Sequence, residues 1–142
     1  MNDTLRGLIG LVVMLAGLHE PETECPPQLT CAGIVVFSEA RNQPIEGQIA
    51  VAEVVYQRGE PCDVYDDPDQ FHGVRDWPTP RNPEAIDARA WRIALAASWI
   101  AQERLWPTQC AGATHFYAHD KGTPEWAGEP CPIADHTFTA SR

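Results

Sequence analysis

Apolar residues recur at helical spacing in two windows of the chain, and near the C-terminus the pattern changes to alternation. Leu29 to Arg41 carries the run Gly33-Ile34-Val35-Val36-Phe37 and predicts a first helix. Pro44 suits the first turn of a second helix, Glu46 lies near its positive end, and Gly59 stops it. Ile45, Ile49, Ala52 and Val55 or Tyr56 supply its buried stripe. A third helix is expected from Pro83 and Glu84 to about Leu105, with Ile86, Ile93, Ala97 and Ile100 on its buried side and Trp91, Trp99 and Trp106 adding bulk. Glu60 to Asn82, holding four prolines, predicts a long irregular stretch. Gly112 to His119 and His136 to Ser141 alternate as short strands, separated by the turn-rich "DKGTPEWAGEPCP". The expected fold is therefore α+β: one mainly helical domain with a small antiparallel sheet and long loops. Loops of that length in a compact domain usually build a site.

Outside this domain, Gly7 to Leu18 ("GLIGLVVMLAGL") is uncharged. As a helix it would span about 18 Å, against roughly 30 Å for a bilayer core, so it fits a signal-peptide core better than a permanent span. Its leading segment is barely basic and no clean A-x-A site follows; the alternative is a buried N-terminal helix. The reading divides the chain into an apolar signal or signal-anchor segment (1–18), a polar, proline-rich linker (19–28) and the domain (29–142).

Charge narrows the partners. A net charge of −10 argues against nucleic acid, which requires concentrated Lys and Arg. Glu60, Asp63, Asp66, Asp67 and Asp69 read as a solvated loop; EF-hand spacing is absent, and Pro61 and Pro68 interrupt the run. Five cysteines suggest one or two disulfides with one thiol left over, provided the chain is exported, and spacing alone does not choose the pairs.

Four chemistries compete for the site. Zinc would use His115 and His119 with Cys110, Cys131 or His136, but "THFYAH" reads as strand and lacks the metalloprotease glutamate. A thiol mechanism would make Cys31 or Cys110 a nucleophile with a histidine base. A serine triad lacks its G-x-S-x-G elbow. The fourth is a carboxylic acid. Glu39 follows a purely apolar run, and partial burial would raise its pKa so that it could protonate a glycosidic oxygen. Nearby loops rich in Trp, Tyr, His, Gln and Asn suit sugars, although a glutamate near a helix end can equally be a surface residue.

"FSEARNQPIEGQIAVAEVVYQR" resembles the opening motif of the SleB-type cell-wall hydrolases, which includes spore-cortex lytic enzymes and reads roughly Y-x-E-A-R-G-E-x-x-x-G-Q-x-A-V-A-x-V-V-x-N-R. "PCDVYDDPDQFHG", "GATHFYA", "PEWA" and "IADHTF" resemble later segments of that family in order, from Cys31 to about Phe138. The resemblance implies a lytic transglycosylase or muramidase that cuts peptidoglycan between N-acetylmuramic acid and N-acetylglucosamine. It makes Glu39 the catalytic acid and requires no metal or cofactor. Gln48, Gln70, Thr114, His115, Tyr117 and Trp126 fall at motif positions and are expected to line the groove. Cys31 and Cys62 become the favoured disulfide pair, with Cys110 and Cys131 second. Phe37 stands where the family commonly has Tyr, Asn42-Gln43 where it has Gly-Glu, Gln57 where it has Asn, and Tyr117 where His is frequent. These departures bear on substrate preference and on hydrolysis against transglycosylation.

The expected setting is an exported monomer in the periplasm or cell wall, tethered to the inner membrane by residues 7–18, without a separate wall-binding module. Phage lysis and bacterial wall remodelling both fit. The alternatives are a Cys–His amidase or peptidase, and a non-catalytic wall-binding protein.

Overall fold

The computed structural model describes residues 27–71 and 83–141. The expected segment 1–18, the linker as far as residue 26, and Cys25 lie outside the described residues. Three helices form the core: α1 (Pro27–Ala40), α2 (Ile45–Arg58) and α5 (Ala88–Gln102), each packed on the other two. Two short helices, α3 (Pro61–Asp66) and α4 (Pro83–Ile86), lie between them in sequence. β1 (His115–Ala118), β2 (Cys131–Ile133) and β3 (His136–Thr139) form an antiparallel sheet in the order β1-β3-β2. The architecture is α+β, as the pattern predicts.

The core follows from the apolar runs. Val35, Val36, Phe37, Val51, Val54, Val55, Ala97 and Ile100 are all fully buried where the three helices meet. Removing such side chains from water is worth about 1.5–3 kcal/mol each. Gly33 lets α1 and α5 approach closely: a Cβ there would lie 2.8 Å from the Leu95 side chain and 3.1 Å from Trp91. One turn further along, the Phe37 and Trp91 rings meet edge to face at 6.2 Å. Their order makes α1 antiparallel to α5. The Tyr56 hydroxyl donates to Gln102 at 3.2 Å, bringing the C-terminal ends of α2 and α5 together. Phe138 of the sheet, also fully buried, closes the core from the other side.

The elements differ from expectation in four places. The third helix is two, because Asp87 adopts an extended conformation and caps α5, its carboxylate accepting from the Ala90 N–H at 2.9 Å. Ile86, the last residue of α4 and expected to be buried, is 58% exposed. The acidic stretch is not all loop: Pro61 starts α3, and Pro61 and Val64 are buried against the domain. β2 forms within the segment read as turns, pairing Cys131 with Phe138 and Ile133 with His136. Its three residues are too few for alternation to reveal.

Candidate active site

Glu39 is the penultimate residue of α1. The preceding turn and the following Ala40 are buried, so its side chain leaves the helix half-covered. Burial pushes its pKa up, and no group among the described residues donates to the carboxylate or pairs with it. A carboxyl in that state holds its proton longer than an exposed one and can give it up to an incoming oxygen.

The turn behind Glu39 is clamped. The Gln43 N–H donates to Ala40 O at 2.9 Å, and the Gln43 side chain, 8% exposed, reaches the β2–β3 turn. There its amide donates to Asp135 Oδ2 at 3.1 Å and its carbonyl accepts from the Asp135 N–H at 3.2 Å. Gln48, 4% exposed, donates to Gln43 O at 3.1 Å. Gln48 Oε1, Ser38 Oγ and His136 Nδ1 are buried without a hydrogen-bond partner among the described residues. One of these lies beside Glu39 and another on the residue that braces its turn.

A second cluster forms around Arg58, the last residue of α2. Its Nε donates to Thr114 O at 2.7 Å and Nη1 to Gln70 Oε1 at 3.2 Å, while the guanidinium lies 4.7 Å from the Phe71 ring centroid. The Gln70 amide donates in turn to Asp67 at 2.8 Å. Thr114 Oγ1 and His115 Nδ1 are 2.8 Å apart. Burial and the Arg58 charge lower the His115 pKa, favouring the neutral ring. His115 and Tyr117 project from the same face of β1, and both meet Trp126, at ring distances of 5.1 Å and 6.2 Å. Trp126 is 43% exposed and offers an open aromatic face. Its loop is fastened through Gly128, whose N–H donates to Ala140 O; a Cβ on Gly128 would lie 2.6 Å from that oxygen.

Strand β1 joins the two clusters. Arg58 holds its start at the C-terminal end of α2. At its other end, the His119 N–H donates at 2.8 Å to the carbonyl of Asp135, which Gln43 grips beside the N-terminal end of α2. A helix of the length of α2 spans about 21 Å. The expected residues thus fall into two groups: Gln70, Thr114 and His115 near one end, Glu39 and Gln48 near the other. Tyr117 and Trp126 are borne by the strand and loop alongside.

Arg58, Gln43 and Asp135 were not among the expected site residues. Arg58 closes the opening motif, and Gln43 stands at one of its departures, so both carried a signal. Asp135 carried none, because its partner is 92 positions away in the sequence.

Disulfides join Cys31 to Cys62 and Cys110 to Cys131. This removes Cys31 and Cys110 as nucleophiles and Cys110 and Cys131 as zinc thiolates. Among the described residues, no three His, Cys, Asp or Glu side chains converge as metal ligands would. No helix among them is long and apolar enough to cross a membrane.

The family model described as cell wall hydrolase matches residues 42–139, beginning three positions after Glu39. Two solved structures are similar. The catalytic domain of the Bacillus cereus SleB protein superposes with a TM-score of 0.61 at 22% identity, covering 84% of this chain and 94% of that one. The catalytic domain of the germination-specific lytic transglycosylase SleB from Bacillus anthracis gives the same TM-score and identity, covering 84% of this chain and 99% of that one. At this identity the likeness concerns the fold. No curated protein sequence matches the chain.

Proposed function

The chain belongs to the cell wall hydrolase family, and from that premise we propose that it cuts the glycan strand of peptidoglycan between N-acetylmuramic acid and N-acetylglucosamine, with Glu39 as general acid and base. The observation that carries this reading is the Glu39 carboxyl: half-buried, raised in pKa by that burial, and without a partner among the described residues.

The reaction runs in two proton transfers. Glu39 protonates the glycosidic oxygen as its bond to the muramic C1 breaks. The C6 hydroxyl of the same muramic residue then bonds to C1, and its proton passes to the Glu39 carboxylate, restoring the acid. The product is a 1,6-anhydro sugar, and no second carboxylate is needed. If water attacks in place of the C6 hydroxyl, the same acid serves a muramidase. Trp126 and Tyr117 offer stacking faces for sugar rings, and the His115 ring offers a polar atom for acetamido and hydroxyl groups, while buried Gln48 braces the turn behind Glu39. Apolar residues 7–18 suit export with an inner-membrane tether, placing the enzyme outside the cytoplasm in phage lysis or wall remodelling.

The test is mass spectrometry of soluble products from purified peptidoglycan, with wild type and Glu39→Gln compared. Anhydro-muropeptides from wild type alone support a lytic transglycosylase. Reducing-end products that disappear in the variant keep Glu39 and make the enzyme a muramidase. Equal products from both proteins overturn the role of Glu39.

A further inference from the structure

A polar pocket lies away from the turn that follows Glu39. It has a volume of about 340 Å³, within the usual range for ligand sites, and its lining includes Glu53, Tyr56, Gln57, Arg104, Trp106 and Gly112. Tyr56, Gln57 and Arg104 place it at the C-terminal ends of α2 and α5. The turn after Glu39 leads into the opposite end of α2.

Arg104 is the unusual residue here. The Leu105 N–H donates to Ile100 O at 3.1 Å and the Arg104 N–H to Ala101 O at 3.2 Å, the paired bonds that close a helix with a left-handed residue. Arg104 is that residue, with φ 52°, in a position where glycine is favoured. Its side chain is exposed at the pocket, and no hydrogen bond or ion pair engages its guanidinium among the described residues. An unpaired cation in a chain of net charge −10 marks a place where an anionic group is welcome.

Glu53 supplies the complementary group. It accepts from the Thr108 N–H at 3.2 Å and from the Thr108 hydroxyl, which fixes the carboxylate while leaving acceptor capacity on both oxygens. Half-buried Trp106 forms an apolar wall, and the Gln57 side-chain amide has no partner among the described residues. The pocket therefore offers a carboxylate-binding cation, an ammonium-binding anion, an amide and an aromatic face. An amino-acid chain bearing both charges matches that set, whereas a neutral sugar would leave Arg104 and Glu53 unanswered.

We propose that this pocket binds the stem peptide of the glycan strand being cut, with Arg104 on a peptide carboxylate, Glu53 accepting from a side-chain ammonium and Trp106 along the peptide's apolar surface. The inference rests on the peptidoglycan reading above. It adds a peptide subsite remote from Glu39, through which binding can discriminate strands by their peptides.

The test is calorimetric titration of the full chain with the free tripeptide L-Ala-γ-D-Glu-meso-diaminopimelate. Wild type is expected to bind it. Arg104→Gly should weaken binding about tenfold or more, as loss of a charged hydrogen bond does, and Glu53→Gln should weaken it as well. Arg104→Gly should melt at or above the wild-type temperature, because glycine suits the left-handed position, so its lost affinity cannot be assigned to unfolding. Absence of binding to wild type, or undiminished affinity in both variants, overturns the proposal. Glu39→Gln separates the two readings: it should bind tripeptide as wild type does while losing cleavage. An active Glu39→Gln would defeat the Glu39 reading and leave the titration standing.

Discussion

Glu39 and Glu53 are carboxylates on neighbouring helices, both half-withdrawn from water, and burial raises the pKa of each. Their surroundings separate them. Thr108 meets Glu53 with two hydrogen bonds that act against the rise. No hydrogen bond or ion pair among the described residues meets Glu39, and the Gln43 amide in the turn that follows it is held by Asp135. Burial alone is therefore a poor mark of a catalytic acid. What separates the two is the partner that one carboxyl has and the other lacks among the described residues.

The largest expected effect breaks the comparison at its functional side. Glu39→Gln should lower glycan cleavage by a factor of about 10²–10⁴, the usual contribution of a general acid, without unfolding the domain. A turbidity-loss assay on purified walls, beside a circular-dichroism melt, measures both. A variant that cleaves at the wild-type rate would remove Glu39 from the chemistry.

The next effect tests what keeps Glu53 supplied with its partner. Cys110 lies two residues beyond Thr108, and its bond to Cys131 closes a span of 21 residues on β2. Replacing both cysteines by serine should cost about 3 kcal/mol of stability by the chain-entropy estimate, seen as a lower denaturant midpoint. The Cys31–Cys62 bond closes 31 residues between α3 and α1, the helix that also bears Glu39. Its removal should cost slightly more on the same estimate, and a smaller loss than for Cys110–Cys131 would contradict the loop-length account.

The third prediction addresses the clamp. Gln43 meets Asp135 with an amide, so the two groups attract; Gln43→Glu would set two carboxylates face to face. Each would raise the other's pKa in the folded state above its unfolded value. Stability would then be retained below the unfolded values and lost as pH rises through the folded ones. We expect a loss of about 1–3 kcal/mol at neutral pH that shrinks in acid, with cleavage activity falling in parallel as the turn behind Glu39 loosens. Melts at acid and neutral pH would show it, and equal losses at both would refute the electrostatic account.

The same contrast explains what could be read in the sequence. The helical layer was legible because its stripes repeat over three or four turns and have strong stops at Pro44 and Gly59. Glu39 stood out as a candidate because a charge behind an apolar run is conspicuous and the surrounding motif resembles a known family. The break at Asp87 was not, since an aspartate in the middle of a periodic stretch looks the same whether it faces solvent or caps a new helix. The Gln43–Asp135 clamp, the Glu53–Thr108 pair and the left-handed Arg104 were illegible for another reason. Each depends on how distant segments or a particular helix end settle in three dimensions, and none imposes a local period.

The smallest effect is also the sharpest test of the difference between the two carboxylates. Thr108→Val preserves shape but removes the hydroxyl that donates to Glu53, at a cost of about 0.5–1.5 kcal/mol. That bond favours the charged form, so its loss should push the already raised Glu53 pKa higher. A group raised in the folded state contributes stability below its unfolded pKa and loses it as pH climbs through the folded value. The penalty of Thr108→Val should therefore be greatest at neutral pH and fade in acid. Glu39→Gln should behave oppositely at neutral pH, because it replaces a carboxylate that nothing compensates: the variant should be the more stable there, and its advantage should vanish once Glu39 is protonated in both states. Opposite signs at neutral pH that converge in acid would establish one partnered and one unpartnered carboxylate. The same sign for both would mean that Glu39 has a partner in solution, and its claim to act as the acid would then rest on kinetics alone.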